Sequence, residues 1–210
     1  MGLDLGQSAD YTALAVVHKV DVYDSDTGEF REELRLRHLE RLALRTPYPD
    51  IVEHVVALLR REELHPWEVD RRRSKRQTHP TLVVDNTGVG APVTDLFTKK
   101  KVKFVGVTIT GGTSVTRLGA YKYGVPKRDL VSALEVPFHA GEFIIAEDLE
   151  LRPTLEKELQ GFKRKIKLDT GHDSYEHWRE GDHDDLVLAC ALATWWARRR
   201  RGNTRLRLIR

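Results

Sequence analysis

The start of the chain carries the hydrophobic pattern of three β-strands. Residues 2–6 and 12–19 are short runs that favour strands, and residues 34–42 alternate apolar and charged side chains (LRLRHLERL), as a half-exposed strand does. Turn-forming residues at 24–28 (DSDTG) separate the second run from the third. The pattern therefore predicts a three-stranded antiparallel meander.

Helical and strand patterns alternate along the next part of the chain. Apolar residues recur at helical spacing over 49–64, and Pro49 suits a first helical turn. A basic insertion at 66–80 separates this helix from a buried strand at 81–85, which a helix at 93–101 and a strand at 102–109 follow. Because such crossovers are right-handed, these strands should lie side by side in one mixed sheet.

The last hundred residues continue the alternation. We expect a loop over 111–124, a helix over 126–134, a short strand over 142–146, a helix over 151–162, an alternating strand over 163–168, a polar loop over 169–181 and a final helix over 183–200. The predicted fold class is α/β, with a mixed central β-sheet whose first three strands are antiparallel and helices on both faces.

Composition limits the class of protein. The chain has 210 residues, of which 40% are hydrophobic and 32% charged, as in a globular protein with one main domain. We predict that domain over 1–200 and a basic tail over 201–210. No apolar run is long enough to span a bilayer, and no targeting segment begins the chain, so we expect no membrane partner and a cytoplasmic location. Cys190, the single cysteine, lies in an apolar helix and should serve packing.

Charge adds a candidate partner. The net charge is only +3, but the basic residues are clustered at 71–76, at 99–103 and from Arg198 to the end of the chain. Basic clusters of this kind suit a polyanion such as a nucleic acid, although solvated loops and a fraying tail explain any single cluster equally well.

Acidic residues supply the candidate chemistry. Asp4 lies in a predicted strand between two leucines, Asp85 ends a buried strand, and Asp184 and Asp185 open a helix that is apolar almost all round. A buried carboxylate without a partner is costly, so the three placements suggest one shared cause. Carboxylate oxygens are the ligands that Mg²⁺ and Mn²⁺ prefer, and two such ions about 4 Å apart can promote phosphodiester cleavage.

Each acid also has a simpler explanation. Asp184 or Asp185 could cap the last helix, and Asp85 could cap the turn that follows it. Asp4 is harder to explain in this way. His183, next to the helix pair, could orient a ligand or an attacking water, or could be a capping or surface residue.

The ordered segments that contain these acids resemble a known family. The chain resembles the nuclease domain of the large terminase subunit of tailed bacteriophages over nearly its whole length, in the segments GLDLGQSADYTALAVV, VVDNTGVGAPVTDLF, YGVPKRDLVSAL, LEKELQGFKRKI and GDHDDLVLACALA. The resemblance implies an RNase H-like fold, a two-metal Mg²⁺ or Mn²⁺ site and endonuclease activity on concatemeric double-stranded DNA. It makes Asp4, Asp85, Asp184 and Asp185 the metal ligands and catalytic acids, and leaves open which of the last two touches metal.

The resemblance also implies partners. Large terminase subunits carry an ATPase motor, and they work with a small subunit and a portal protein in the cytoplasm of the host. This chain contains no GxxxxGK[ST] motif for such a motor, and Met1 directly precedes the first strand, which suggests an excised domain. For the DNA itself, the best candidate contacts are the basic residues around TRLGAYKYGVPKRD, interleaved with Tyr121 and Tyr123: Arg117, Lys122, Lys127 and Arg128.

Two other functions fit the same residues. A RuvC-like Holliday junction resolvase would use a similar acidic site, and a non-catalytic module that docks DNA or portal protein would need the acids only as caps and bridges. An actin-like ATPase is disfavoured, because the chain is short and no adenosine-binding glycine-rich segment follows the last acid.

Overall fold

The computed structural model describes residues 1–6, 10–25, 27–65, 67–69, 75–77, 79–88, 90–168, 184–199 and 204–206. Its strands are β1 (Gly2–Asp4), β2 (Ala13–Tyr23), β3 (Phe30–Arg41), β4 (Trp67–Val69), β5 (Lys75–Gln77), β6 (Leu82–Asp85), β7 (Phe104–Thr110), β8 (Thr116–Gly119), β9 (Lys122–Pro126), β10 (Phe143–Ile145) and β11 (Thr204–Leu206). Its α-helices are α1 (Tyr48–Leu59), α2 (Gly90–Lys99), α3 (Lys127–His139), α4 (Arg152–Leu168) and α5 (Asp185–Arg199), with a 3-10 turn at Glu62–Leu64.

One mixed sheet organises the molecule. Eight strands follow the order β10-β3-β2-β1-β6-β7-β9-β8, and β11 pairs with the far end of β2. The strands β1, β2 and β3 are antiparallel neighbours, which confirms the predicted meander, whereas β1, β6, β7 and β9 run parallel. Because β3 runs in the same direction as β1, the strands β1, β3, β6, β7 and β9 all end at one edge, which we call the carboxyl-terminal edge.

Helices cover both faces of this sheet, as predicted. On one face, α1 and α2 pack on the strand residues Leu3, Leu14 and Val84. On the other face, α3, α4 and α5 pack on Ala13, Val83 and Val107. Residues next to each other in β1, β2 and β6 therefore belong to different cores, as the alternation of side chains along a strand requires.

The segment predicted as a loop over 111–124 is mostly a hairpin, so that prediction was wrong. The strands β8 and β9 pair antiparallel, and β9 pairs with β7 over Gly106 to Thr110. The turn between them contains Tyr121, whose φ of 59° lies in the left-handed region. Strand β8 is the last strand in the sheet order and is largely exposed, so backbone pairing with β9 rather than a buried face holds it in place. Its sequence accordingly shows no apolar alternation.

The strand predicted over 163–168 is also wrong, because α4 continues through it to Leu168. The letters KRKIKL alternate apolar and basic residues only weakly, and Lys, Arg and Leu all favour helices. The first turns of α4 are anchored by the buried Leu155 and Leu159, so extending an existing helix costs less than starting a strand.

Smaller differences concern the ends of elements. The first helix stops at Leu59 before its 3-10 turn, and α3 extends to His139 with Pro137 inside it. Within the basic insertion, β4 and β5 form a separate two-stranded sheet. No helix among the described residues is long and apolar enough to cross a membrane. The predicted polar loop at 169–181 and the arginines at 71–73 lie outside the described residues.

Candidate active site

A single row of paired residues crosses the sheet near its carboxyl-terminal edge. Pairing connects Arg117 of β8 to Tyr123 of β9, Tyr123 to Val107 of β7, and Val107 to Asp85 of β6. On the other side of β6, Gly2 and Leu3 of β1 pair with Val83 and Val84, so the same register aligns Asp4 with Asp85. Two of the predicted acids are thus neighbours on adjacent parallel strands.

The row continues beyond Asp4 to a second arginine. Asp4 pairs with Ala13 of β2, and Ala13 pairs with Arg41, the last residue of β3. Paired residues share a face of the sheet, and Ala13 and Val107 belong to the core beneath α3, α4 and α5. Asp4 and Asp85 therefore lie on the face that α5 covers, with one arginine at each end of the row.

Asp85 is held in place locally. Its side chain is almost fully buried, and its Oδ1 accepts a hydrogen bond of 2.8 Å from the backbone N–H of Thr87, as in an Asx turn. The next residue, Asn86, carries a buried Oδ1 that accepts no hydrogen bond from any residue that the structure describes. A buried neutral oxygen of this kind is one that a cation or a water would satisfy.

Helix α5 comes very close to β1. A Cβ on Gly2 would lie 2.0 Å from the carbonyl oxygen of Ala189 and 2.9 Å from the nitrogen of Ala193. The small residues of α5 and the absence of a side chain at Gly2 therefore allow helix and strand backbones to touch. This contact brings the first turn of α5, where Asp185 begins the helix and the half-buried Asp184 precedes it, towards the edge where Asp4 lies.

Asp185 belongs to a buried charge cluster that the sequence did not predict. The Nε of Arg41 lies 2.7 Å from Oδ2 of Asp185, as an ion pair whose angles fall outside those of a hydrogen bond. The Nη2 of Arg41 pairs with Oε1 of Glu158 on α4, and the other oxygen of Glu158 accepts a hydrogen bond of 3.3 Å from the N–H of Val187. We call Arg41, Glu158 and Asp185 the charge cluster.

Both new members left a signal in the sequence. Arg41 follows the buried Leu39 by two positions and so falls on the inward face of β3. Glu158 lies three positions after Leu155, which places an acid on the apolar face of α4. A charged residue at an inward position is the pattern that would have identified them.

The charge cluster shapes the local electrostatics. Burial raises the pKa of Glu158 to about 7; the nearby Arg41 acts against this rise, and the negative charge of Asp185 adds to it. The pKa of the Cys190 thiol, fully buried one turn further along α5, is raised well above its usual range, first by burial and then by Glu158. Cys190 is therefore a packing residue, consistent with its predicted role.

The donor set suits a hard divalent cation in its chemistry. Asp4 and Asp85 offer carboxylate oxygens at the same level on adjacent strands, and the one thiol of the chain, Cys190, is buried inside the protein. Within the described ranges, however, no three His, Cys, Asp or Glu side chains are grouped closely enough to hold a metal ion. Mg²⁺ commonly binds through one or two protein carboxylates and completes its shell with waters and substrate phosphates, so a group of three protein ligands is not a requirement for it.

The structure separates the predicted DNA contacts. Arg117 lies on the α5 face of the hairpin, whereas Lys122, which pairs with Gly106 and Gly119, lies on the opposite face. Lys127 and Arg128 begin α3 at the carboxyl-terminal edge, and Nη2 of Arg128 donates to the carbonyl of Thr113 at 2.5 Å. The remaining site prediction, His183, lies outside the described residues.

The two tyrosines of this segment also have different environments. Tyr121 is 65% exposed at the tip of the hairpin, so it is accessible to a partner. Tyr123 packs against Trp195 and Trp196 of α5, and the guanidinium of Arg199 lies 5.2 Å from the centre of its ring. Tyr123 is therefore a structural residue that anchors β9 to α5.

A cavity of about 200 Å³ opens beside the end of β1. Its lining includes Arg45, which has a left-handed φ of 64°, and Thr12, whose hydroxyl accepts a hydrogen bond from the N–H of Gly6. The lining residues are Gly6, Asp10, Thr12, Ala43, Arg45, Thr46, Pro47 and Tyr48. The cavity provides open space two residues beyond Asp4.

Comparison with known proteins returns structural neighbours alone. No protein-family model matches the chain, and no curated protein matches it. Among solved structures, the chain is similar to the human cytomegalovirus terminase nuclease domain, with 16% identity, a TM-score of 0.44, and coverage of 92% of this chain and 80% of that one. The Mn-soaked form of that domain is 16% identical, with a TM-score of 0.43 and coverage of 92% of this chain and 80% of that one. The Mn-soaked, inhibitor-bound form has the same identity and TM-score, with coverage of 93% of this chain and 82% of that one.

Proposed function

We propose that the chain is a divalent-metal-dependent endonuclease domain of the terminase type, which cleaves the phosphodiester backbone of double-stranded DNA. The observation that carries this proposal is the alignment of Asp4 with Asp85 on adjacent parallel strands, beneath the first turn of a helix that begins with two further aspartates. Asp85 also caps the turn after β6 through the N–H of Thr87, but that role does not require a second carboxylate at the same level on β1, where like charges repel.

The chain's own residues have distinct tasks in this proposal. Asp4 and Asp85 hold the metal, and Asp184 or Asp185 completes the set from α5. Mg²⁺ or Mn²⁺ bound there would activate a water and stabilise the leaving oxygen of the phosphodiester. The backbone contact at Gly2 and the hydrogen bond from Thr87 fix two of the supporting elements before substrate arrives.

The DNA backbone would cross the carboxyl-terminal edge. Arg117 stands at one end of the row that contains the acids, and Lys127 and Arg128 lie at the start of α3 on the same edge. Cations at these places neutralise phosphates without reading bases, as an enzyme that cuts many sequences requires. Lys122, on the opposite face of the hairpin, would contribute less.

The proposed biological setting rests on the sequence motifs alone. The segments that resemble large terminase subunits of tailed bacteriophages lead us to propose a role in DNA packaging, with a terminase ATPase motor, a small subunit and a portal protein as partners in the host cytoplasm. The substrate in that setting is concatemeric double-stranded DNA, and the chemistry is two-metal hydrolysis.

A plasmid-nicking assay tests the catalytic proposal. With Mg²⁺ or Mn²⁺ the wild-type chain should convert supercoiled plasmid to nicked and linear forms, and Asp4→Asn or Asp85→Asn should lower the rate by at least about 100-fold, as expected for loss of a metal ligand. The matched control is Asp95→Asn, which removes an exposed carboxylate on α2 and should leave the rate unchanged. Full activity of Asp4→Asn would refute the proposal.

Two further measurements address the alternative functions. Faster cleavage of four-way junctions than of linear duplex would favour a junction resolvase. Retained DNA affinity without any binding of Mn²⁺ in calorimetry would favour a docking module. Parallel nicking assays with Asp184→Asn and Asp185→Asn would show which of the helix acids cleavage requires.

A further inference from the structure

The charge cluster joins three elements that surround the candidate site. Arg41 ends β3, Glu158 belongs to α4, and Asp185 begins α5. Their side chains are 16%, 7% and 6% exposed, so the three charges interact with little screening by water. The ring of Tyr11 lies against the guanidinium, 4.7 Å from its central carbon.

The geometry uses the shape of the arginine side chain. Nε faces Asp185 while Nη2 faces Glu158, so one planar group holds two carboxylates on two different helices. Glu158 in turn accepts the N–H of Val187 in the first turn of α5. The start of α5 is therefore held at two points, one on a side chain and one on the backbone.

The charge cluster also lies in line with the acidic pair of the sheet. Arg41 pairs with Ala13, and Ala13 pairs with Asp4, so Arg41 belongs to the same row of residues as Asp4 and Asp85. The start of α5 that Arg41 holds through Asp185 is therefore next to the strands that carry these two acids.

We propose that Arg41 is a positioning residue for divalent-metal binding: through Asp185 and Glu158 it holds the start of α5, and with it the helix-borne aspartates, over the pair formed by Asp4 and Asp85. This inference rests on the proposed function, because it assigns a determinant of metal affinity to the same site. Arg41 itself touches neither metal nor DNA in this arrangement. Its substitution should therefore weaken metal binding while sparing the chemical step at saturating metal.

Mn²⁺ affinity, measured by calorimetry and by electron paramagnetic resonance of free Mn²⁺, is the direct test. Arg41→Met keeps the length of the side chain and removes its charge, and it should weaken Mn²⁺ binding about 10- to 100-fold, the usual effect of losing a residue that orients a ligand. In nicking assays the Mn²⁺ concentration for half-maximal rate should rise by the same factor, and kcat at saturating Mn²⁺ should change by less than about 3-fold.

Two variants serve as comparisons. Arg41→Lys keeps the positive charge but cannot reach both acids, so its loss of Mn²⁺ affinity should be smaller than that of Arg41→Met. Arg152→Met removes an arginine of α4 that pairs with Glu156 at 2.8 Å on a much more exposed surface, and it should bind Mn²⁺ like the wild type. If Arg41→Met does not fold, as judged by circular dichroism, the result for Arg41→Lys decides.

The outcomes separate this inference from the proposed function. Wild-type Mn²⁺ affinity in a folded Arg41 variant, together with lost affinity in Asp4→Asn, would overturn the inference alone. Absence of Mn²⁺ binding by the wild-type chain would overturn the proposed function. A fall in kcat with unchanged Mn²⁺ affinity would also overturn the positioning role, because it would place Arg41 in the chemical step.

Discussion

Gly2 is the residue on which the approach of α5 to the sheet depends. Any side chain there would place its Cβ 2.0 Å from the Ala189 carbonyl oxygen and 2.9 Å from the Ala193 nitrogen, and both are backbone atoms of α5 that cannot rotate away. The helix would have to move away from β1, which would also move the aspartates at its start. The sequence shows a glycine at this position but does not show what it contacts.

Gly2→Ala should therefore destabilise the chain by about 3 kcal/mol, the upper part of the usual range for overpacking. Urea unfolding followed by circular dichroism measures the change. Gly112→Ala is the control, because its Cβ would meet only the Thr110 hydroxyl at 3.6 Å, an ordinary contact, and its stability should not fall. Equal stability of the two variants would contradict the close approach.

Glu40 fastens β3 to α1 on the opposite face of the sheet. Its Oε2 accepts hydrogen bonds from Nε2 of His38 at 3.1 Å and from Nε2 of His54 at 2.9 Å. The bond from His38 and then that from His54 lower the pKa of Glu40 to about 2, against the effect of burial. Because the folded-state pKa lies below the unfolded one, the stabilisation is present above about pH 4.5 and is lost as the pH falls towards 2.

Glu40→Gln should thus lower the free energy of unfolding by about 1 kcal/mol at pH 6, an amount that allows for partial screening by solvent. The difference from wild type should shrink between pH 4.5 and pH 2. Urea titrations at a series of pH values measure it. A difference that stays constant over this range would mean that Glu40 stabilises the fold without its charge.

At the scale of single residues, the sequence predicted the acids better than their surroundings. The costly positions of Asp4 and Asp85 in apolar strands predicted that these acids converge, and the register of β1 and β6 places the two at the same level on adjacent strands. Arg41 and Glu158 were missed because each is far in sequence from its partners, and only the folded chain brings β3, α4 and α5 together. Whether the acids bind metal stays a prediction.

At the scale of elements, the sequence correctly predicted the helices and strands that bury one apolar face. The meander, β6, α2, β7 and α5 each carry a regular apolar pattern, and each was found close to its expected place. The hairpin of β8 and β9 and the end of α4 were not predicted correctly. The exposed strand β8 and the extended end of α4 have little apolar periodicity in their sequences. Local propensity was the better guide for α4.

The hairpin also yields a prediction about DNA. Arg117 lies on the face of the sheet that α5 covers, in the same row as the acids. Lys99 is the last residue of α2, and this helix runs from the end of β6 back towards the start of β7. Lys99 therefore lies near the opposite edge of the sheet. Arg117→Ala should reduce the slope of log affinity against log salt by about 0.9, the value for one phosphate contact on duplex DNA. Lys99→Ala should leave the slope unchanged.

Fluorescence anisotropy with a labelled duplex at several salt concentrations, with EDTA to prevent cutting, measures both slopes. An equal loss for the two variants would indicate a diffuse attraction by the net charge of +3 rather than a DNA path along the carboxyl-terminal edge.

At the scale of the whole molecule, one cation site would couple the two halves of the sheet. Asp4 lies on the antiparallel side, which was predicted as a meander, and Asp85 lies on the parallel side, which was predicted from its strand-helix-strand order. The sequence predicted both halves and that they share one sheet. It could not give the register that aligns these two acids, because register depends on pairing between distant strands.

Mn²⁺ should therefore stabilise the whole chain. A ligand that binds only the folded state adds about 2.7 kcal/mol at a concentration of about 100 times its Kd, so thermal unfolding monitored by circular dichroism should shift upwards by several degrees. Asp85→Asn should remove most of this shift, and Asp95→Asn should retain it. A shift of equal size in Asp85→Asn would place Mn²⁺ binding at a different part of the chain.

The burial of Cys190 gives the molecule an internal reporter. Its thiol lies in the middle of the helix whose backbone touches Gly2, and in the folded chain it is both inaccessible and held in its protonated form. Alkylating reagents need an exposed thiolate, so this single cysteine should be labelled only in molecules in which α5 has separated from the sheet by local opening. The rate of labelling would reveal how often the acidic pair on the strands is uncovered.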